Sequence, residues 1–132
     1  MVTVLFACVH NAGRSQMAAA WFNRLVDASK ARARSAGTQP AEQVHPVVVE
    51  AMREVGIDLS TARPRRLTTS AAESAQWLIT MGCGDACPFV PGVRRDDWAL
   101  DDPAGLPLSR VRSIRDDIKR RVQAFIDRER LA

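Results

Sequence analysis

The sequence contains no tyrosine, and its three Trp and four Phe bring aromatic content to only 5% of 132 residues. No basic run is interleaved with aromatics and no groove-reading motif is present, so nucleic acid is not the expected partner despite a net charge of +4. A long apolar run is also missing. The longest amino-terminal stretch, Val2 to Val9, falls far short of the roughly 20 residues a membrane span needs. No basic region precedes it as in a signal peptide. The chain therefore reads as cytoplasmic, without a membrane partner. Histidine is scarce: His10 and His45 stand at no ligand spacing from the cysteines, which argues against zinc. Three cysteines are an odd number where nothing marks secretion, so reactive thiols are expected rather than a disulfide framework.

What is present fits one domain over residues 1–132, with 46% hydrophobic and 26% charged residues. Positive charge comes mostly from scattered arginines, a distribution that favours anions in general. Residues 3–7 form a short β-branched and aromatic run, a strand, followed by a turn and a helix beginning near Ser15. In that helix Met17, Ala20, Trp21, Leu25 and Ala28 recur at helical spacing. A strand is expected over residues 32–35 and a helix over 46–55 with Gly56 as its cap. Residues 77–81 read as a buried strand, 82–91 as a mobile Gly-, Pro- and Cys-rich loop, and 98–100 as a short fourth strand. Val111, Ile114, Ile118, Val122, Phe125 and Ile126 mark a long closing helix from Ser109. Strands alternating with helices predict an α/β fold: a four-stranded parallel sheet with helices on both sides, binding its ligand at the carboxyl ends of the strands.

The strongest local signal is Cys8-Val9-His10-Asn11-Ala12-Gly13-Arg14-Ser15, a cysteine, five residues and an arginine between strand and helix. Backbone N–H groups of such a loop turn inward on a tetrahedral anion, and the helix adds its positive end. Arg14 offers a planar fork for two of the anion's oxygens. Those donors, with the Ser15 hydroxyl, stabilise the thiolate of Cys8, the form that attacks. Gly13 permits the tight curl, and Asn11 tolerates a left-handed backbone while its amide braces the loop. A cysteine alone at a strand end is an ordinary buried residue. The arginine spacing, the glycine and the strand-to-helix setting together favour the nucleophile. His10 reads as an exposed spacer rather than a base. A leaving oxygen needs a proton, for which Asp102 is the candidate acid, although Asp-Pro is also a common turn pair.

The segment from Val4 to Ala19 resembles the phosphate-binding loop of low-molecular-weight protein tyrosine phosphatases and of the arsenate reductases built on that fold. The likeness continues through Ser35-Ala36-Gly37-Thr38, through residues 51–60 and through Asp97-Trp98-Ala99-Leu100-Asp101-Asp102-Pro103-Ala104-Gly105. It covers nearly the whole chain. It implies that the acid is the Asp before Pro, Asp102, with Asp101 a solvated neighbour. Some relatives carry an acidic residue that helps hold potassium where this chain has Ala19, so no metal is expected, and no cofactor.

Cys83 and Cys87 separate reductase from phosphatase, because ester hydrolysis needs one cysteine whereas a two-electron reduction leaves two sulfurs oxidised. In the thioredoxin-coupled reductases that the chain resembles, Cys8 bonds arsenic, Cys83 attacks Cys8 with release of arsenite, and Cys87 attacks Cys83. The Cys83–Cys87 spacing would set both sulfurs on one side of a helical turn, with local unwinding to close a disulfide. This pair is closer together than in the better-known reductases, and its first member is displaced by one place from the strand, which leaves the order of attack open. The expected substrate is arsenate, with phosphate or sulfate competing, and the expected enzyme a monomer. Three readings stand: a thioredoxin-coupled arsenate reductase, with a mycothiol-coupled one as variant; a phosphatase using Cys8, Arg14 and Asp102; and a module that binds oxyanions without turnover.

Overall fold

A computed structural model describes residues 1–83 and 87–132. Strand β1 (Val2–Cys8) lies at the centre of a four-stranded parallel sheet with β2 (Ala31–Gly37), β3 (Trp77–Thr80) and β4 (Arg94–Asp97), in the order β2-β1-β3-β4. The unbroken apolar run of β1 fits a strand covered on both faces, whereas β2, at the edge, alternates buried Ala31 and Ala33 with exposed Arg32 and Arg34. Its register pairs Cys8 with Gly37.

Two cores sandwich the sheet. Val4, Phe6 and Cys8 face helices α1 (Arg14–Leu25), α2 (Pro46–Arg53) and α4 (Leu108–Arg128), where Phe6 meets Phe22 edge-on at 6.0 Å and Phe125 meets Trp77 at 5.1 Å. Leu5 and Ala7 face the other way, toward Ala72 on α3 (Thr69–Glu73), Leu78, Val90 and both Cys83 and Cys87. Alternation along one strand thus puts Cys8 and the other two cysteines in different cores. None of the described helices is long and apolar enough to cross a membrane.

The expected elements form with small boundary shifts, with two exceptions. The fourth strand is Arg94–Asp97, not residues 98–100. An edge strand has one neighbour and needs no apolar run, so charge is no obstacle, and charged edges resist pairing with another chain. Trp98 instead leaves the strand end to pack on Phe6 at 5.7 Å, its indole N–H donating to Asp96. Helix α3 has only five residues, too few to show a helical period, and starts at the Thr68 cap, whose hydroxyl accepts from the Ala71 N–H. The loop expected over 82–91 is described except at residues 84–86, so the expectation of a helical turn between the two cysteines lies outside the described residues.

The chain leaves β1 through α1 toward β2 and later crosses back past β1 to reach β3. The sheet's switch in direction therefore lies beside the carboxyl end of β1, which ends on Cys8.

Candidate active site

The loop between β1 and α1 is held from outside by its carbonyls. Those of Cys8, Val9 and His10 accept from the N–H groups of Thr38, Gln39 and Ala41 at 3.1, 2.7 and 3.0 Å, that of Ala12 accepts from His45 at 2.9 Å, and that of Gly13 accepts from Met17 at 3.0 Å. With four of these carbonyls taken up by residues 38–45 and the fifth by α1, the loop leaves its amide hydrogens for an anion, an arrangement that concentrates positive potential. Gly13 caps α1 without any side-chain hydrogen bond, so no side chain competes there for the helix's first amides.

Asn11 organises the loop. It adopts a left-handed backbone with φ of 49° and is fully buried. Its Oδ1 accepts from the Arg65 N–H at 2.9 Å and from the Gln16 amide at 3.2 Å, and its Nδ2 donates to Ser15 Oγ at 2.7 Å. The Asn11 N–H lies 3.2 Å from Cys8 Sγ, and Ser15 Oγ lies 2.8 Å from the same sulfur. Cys8 is a free, buried thiol. The Asn11 amide and the Ser15 hydroxyl thus stand against each other and against this sulfur.

Arg14 is buried, although arginine is rarely so, and its guanidinium lies 3.4 Å from the Leu100 carbonyl and 3.6 Å from Asp102 Oδ2. Asp102 Oδ1 accepts from the Ala104 N–H at 3.0 Å. One oxygen of Asp102 thus closes a turn while the other faces the arginine. Asp101 points away to pair with Arg110 at 3.2 Å. Pro103 closes on the loop so tightly that a Cβ on Gly13 would stand 2.5 Å from its ring. His10 is exposed and its ring nitrogen meets the Gln39 carbonyl at 3.0 Å, as fits a spacer.

Cys83 and Cys87 form a disulfide with Cα atoms 5.7 Å apart, and both are buried in the core opposite to that of Cys8. The structure therefore brings together Cys8, Asn11, Arg14, Ser15 and Asp102, and separately Cys83 with Cys87.

Two contributors, Gln16 and Gly37, escape sequence reading. Gln16 is buried and bridges Asn11 Oδ1 to the Arg63 carbonyl, at 3.2 and 3.3 Å. It follows Arg14 and Ser15 in a polar first turn of α1, so nothing in the sequence marks it out. Gly37 sits behind the loop, where a Cβ would lie 2.6 Å from the Val9 carbonyl and 2.8 Å from the Asn11 nitrogen. The segment Arg63-Pro64-Arg65-Arg66 contributes through its backbone, since Arg65 also accepts from the Gly37 N–H at 2.8 Å, while its arginine side chains are exposed.

Comparison with known proteins gives the following. The family model for low molecular weight phosphotyrosine protein phosphatase matches residues 3–132. A putative arsenate reductase of Halobacterium salinarum is 44% identical over 128 residues, covering 92% of this chain and 89% of that protein. The structure of a Corynebacterium glutamicum thioredoxin-dependent arsenate reductase superposes with a TM-score of 0.86 at 38% identity over 99% of this chain, which spans 63% of that longer chain. The structure of an arsenate reductase in the phosphate binding state superposes with a TM-score of 0.83 at 32% identity over 100% of both chains.

Proposed function

The chain belongs to the low molecular weight phosphotyrosine protein phosphatase family, and from that premise we propose that it reduces arsenate to arsenite using Cys8 as nucleophile and Cys83 with Cys87 as a thiol relay. The observation that carries the reading is the pairing of an oxyanion loop around a free Cys8 with a second, disulfide-bonded pair of cysteines. A phosphatase has no use for the second pair.

The loop amides and Arg14 bind arsenate, and the Cys8 thiolate attacks arsenic while an oxygen leaves as water on a proton from Asp102. Cys83 then attacks the Cys8 sulfur. The sulfur–arsenic bond breaks with its electron pair passing to arsenic, which leaves as arsenite, and a Cys8–Cys83 disulfide remains. Cys87 attacks Cys83 and frees the Cys8 thiolate. One disulfide formed matches two electrons gained by arsenic. A free Cys8 beside a Cys83–Cys87 disulfide is the state in which this relay ends, whichever of the two cysteines attacks Cys8 first.

The relay requires Cys83 to cross from one face of the sheet to the other, and Gly82, at φ of 91°, is the adjoining backbone position able to turn. The reductant in this reading is thioredoxin, the partner named for the Corynebacterium protein. Phe89, 81% exposed and two residues from Cys87, offers it an apolar contact. The reading further makes the protein a cytoplasmic monomer of one domain, with phosphate and sulfate as competing anions, and with no metal or cofactor.

The test is arsenite formation from arsenate, followed in parallel with thioredoxin and with mycothiol plus a redoxin, beside hydrolysis of an aryl phosphate. Arsenite produced with thioredoxin supports the proposal. Fast aryl phosphate hydrolysis with no arsenite under either reductant would sink it in favour of the phosphatase reading, to which the same loop and Asp102 lend themselves.

A further inference from the structure

Gly82 stands where the redox segment meets the anion site. Its backbone has φ of 91°, and a Cβ built on it would lie 2.5 Å from Arg14 Nη1 and 3.4 Å from the guanidinium carbon. The arginine is buried with its fork against this residue, flanked by the Leu100 carbonyl and Asp102. A guanidinium is planar and binds two oxygens only when the plane is set correctly, so whatever fixes the plane fixes anion affinity.

We infer that Gly82 is a positioning residue for Arg14: the missing side chain leaves the seat in which the guanidinium lies, and the seat keeps the fork aligned with the loop. This rests on the reading that the loop binds an oxyanion but not on the relay. Two features, a left-handed backbone and the arginine in the way of a Cβ, single out Gly82 among the described glycines. Gly92 and Gly105 share its left-handed backbone, at φ of 84° and 74°, yet a Cβ on either meets nothing within 4 Å. A Cβ on Gly56, at φ of 82°, would meet only Arg24 at 3.4 Å, near the end of α1 opposite to the loop, where that arginine is paired with the Gly56 carbonyl. Backbone strain alone therefore does not set Gly82 apart; the arginine does.

The experiment measures binding of inorganic phosphate by calorimetry, together with thermal melting, for the native protein, Gly82→Ala, Gly92→Ala, Arg14→Ala and the Arg14→Ala/Gly82→Ala double variant. Gly92→Ala calibrates the cost of a side chain at positive φ, expected to be a small loss of melting temperature with phosphate binding kept. Gly82→Ala is expected to lose phosphate affinity by about tenfold or more, because the fork is displaced. In the Arg14→Ala background the Cβ has room, so the double variant should bind phosphate no more weakly than Arg14→Ala, and adding Gly82→Ala there should cost no more melting temperature than Gly92→Ala does. This comparison decides the matter even if Gly82→Ala alone does not fold. Native-like affinity in Gly82→Ala overturns the inference, and so does a double variant destabilised as much as Gly82→Ala. Absence of phosphate binding by the native protein would instead overturn the oxyanion reading itself.

Discussion

Asn11 Nδ2 donates a 2.7 Å hydrogen bond to Ser15 Oγ, so the serine's own proton remains available to Cys8. The amide orientation is fixed because a backbone N–H, that of Arg65, can only donate, so Oδ1 faces it. Ser15 Oγ thus accepts from Asn11, and when Cys8 is a thiolate the serine proton is the one that can bridge the 2.8 Å to its sulfur. With the Asn11 N–H also aimed at that sulfur, two donors converge on it, an arrangement suited to a thiolate. Ser15→Ala removes one donor. It should lower kcat/KM for arsenate by about tenfold, in keeping with the loss of a hydrogen bond to a charged group, while the denaturation midpoint changes little. An unchanged kcat/KM would remove Ser15 from the chemistry.

Asn11→Ala is expected to act on both stability and activity. It orphans the part-buried Arg65 N–H and removes one partner of the buried Gln16, at a cost of up to about 1 to 3 kcal/mol for each unsatisfied group, and it removes a residue able to hold φ of 49°. Urea denaturation should show the loss, and kcat should fall further than in Ser15→Ala, because the loop amides lose their aim together with the hydroxyl. A variant as stable and active as the native protein would show the brace to be dispensable.

Gly37→Ala tests the wall behind the loop. Its Cβ would press on the Val9 carbonyl and the Asn11 nitrogen, which are backbone atoms and cannot swing aside. Overpacking of this kind costs about 1 to 3 kcal/mol, and the displaced loop should show a raised KM for arsenate. Kinetics matching the native enzyme would mean that the wall yields without moving the loop.

Acid stability offers a prediction away from the site. Arg112 hydrogen-bonds to Glu54 at 2.6 Å and Arg115 joins at 2.9 Å, and together they pull the Glu54 carboxyl from 4.5 down to about 2. A carboxyl depressed by folding stabilises the protein above its unfolded value, and that contribution is lost as pH falls between about 4.5 and 2. Glu54→Gln should therefore flatten the decline in stability across this window, when melting is followed as a function of pH. It should also lower stability near neutrality, since it ties α2 to α4. A pH profile parallel to that of the native protein would contradict the assignment.

Local pattern made the site legible where chemistry and spacing coincide. Cys8, Asn11, Arg14 and Ser15 lie within one loop, so their proximity follows from the strand-to-helix setting alone. Asp102 can be proposed as an acid from the sequence but not placed beside Arg14, because that contact spans most of the chain. Gly37, Gln16 and Gly82 matter through what lies beside them in space, and nothing in their own neighbourhoods shows it. The edge strand Arg94–Asp97 was missed because its charged residues carry no apolar signal, and Trp98, which does carry one, belongs to the core beyond the strand end. Alternation along β1 sets Cys8 on the face opposite to the core that holds Cys83 and Cys87, which sequence spacing does not reveal.

The most direct measurement of the three-thiol account is arsenate-dependent NADPH consumption with thioredoxin and thioredoxin reductase, for the native protein and for Cys8→Ser, Cys83→Ser and Cys87→Ser. The account predicts turnover by the native protein and none by any of the three variants. Turnover at the native rate by Cys83→Ser or Cys87→Ser, with only Cys8→Ser inactive, would contradict it and make the distal pair a bystander.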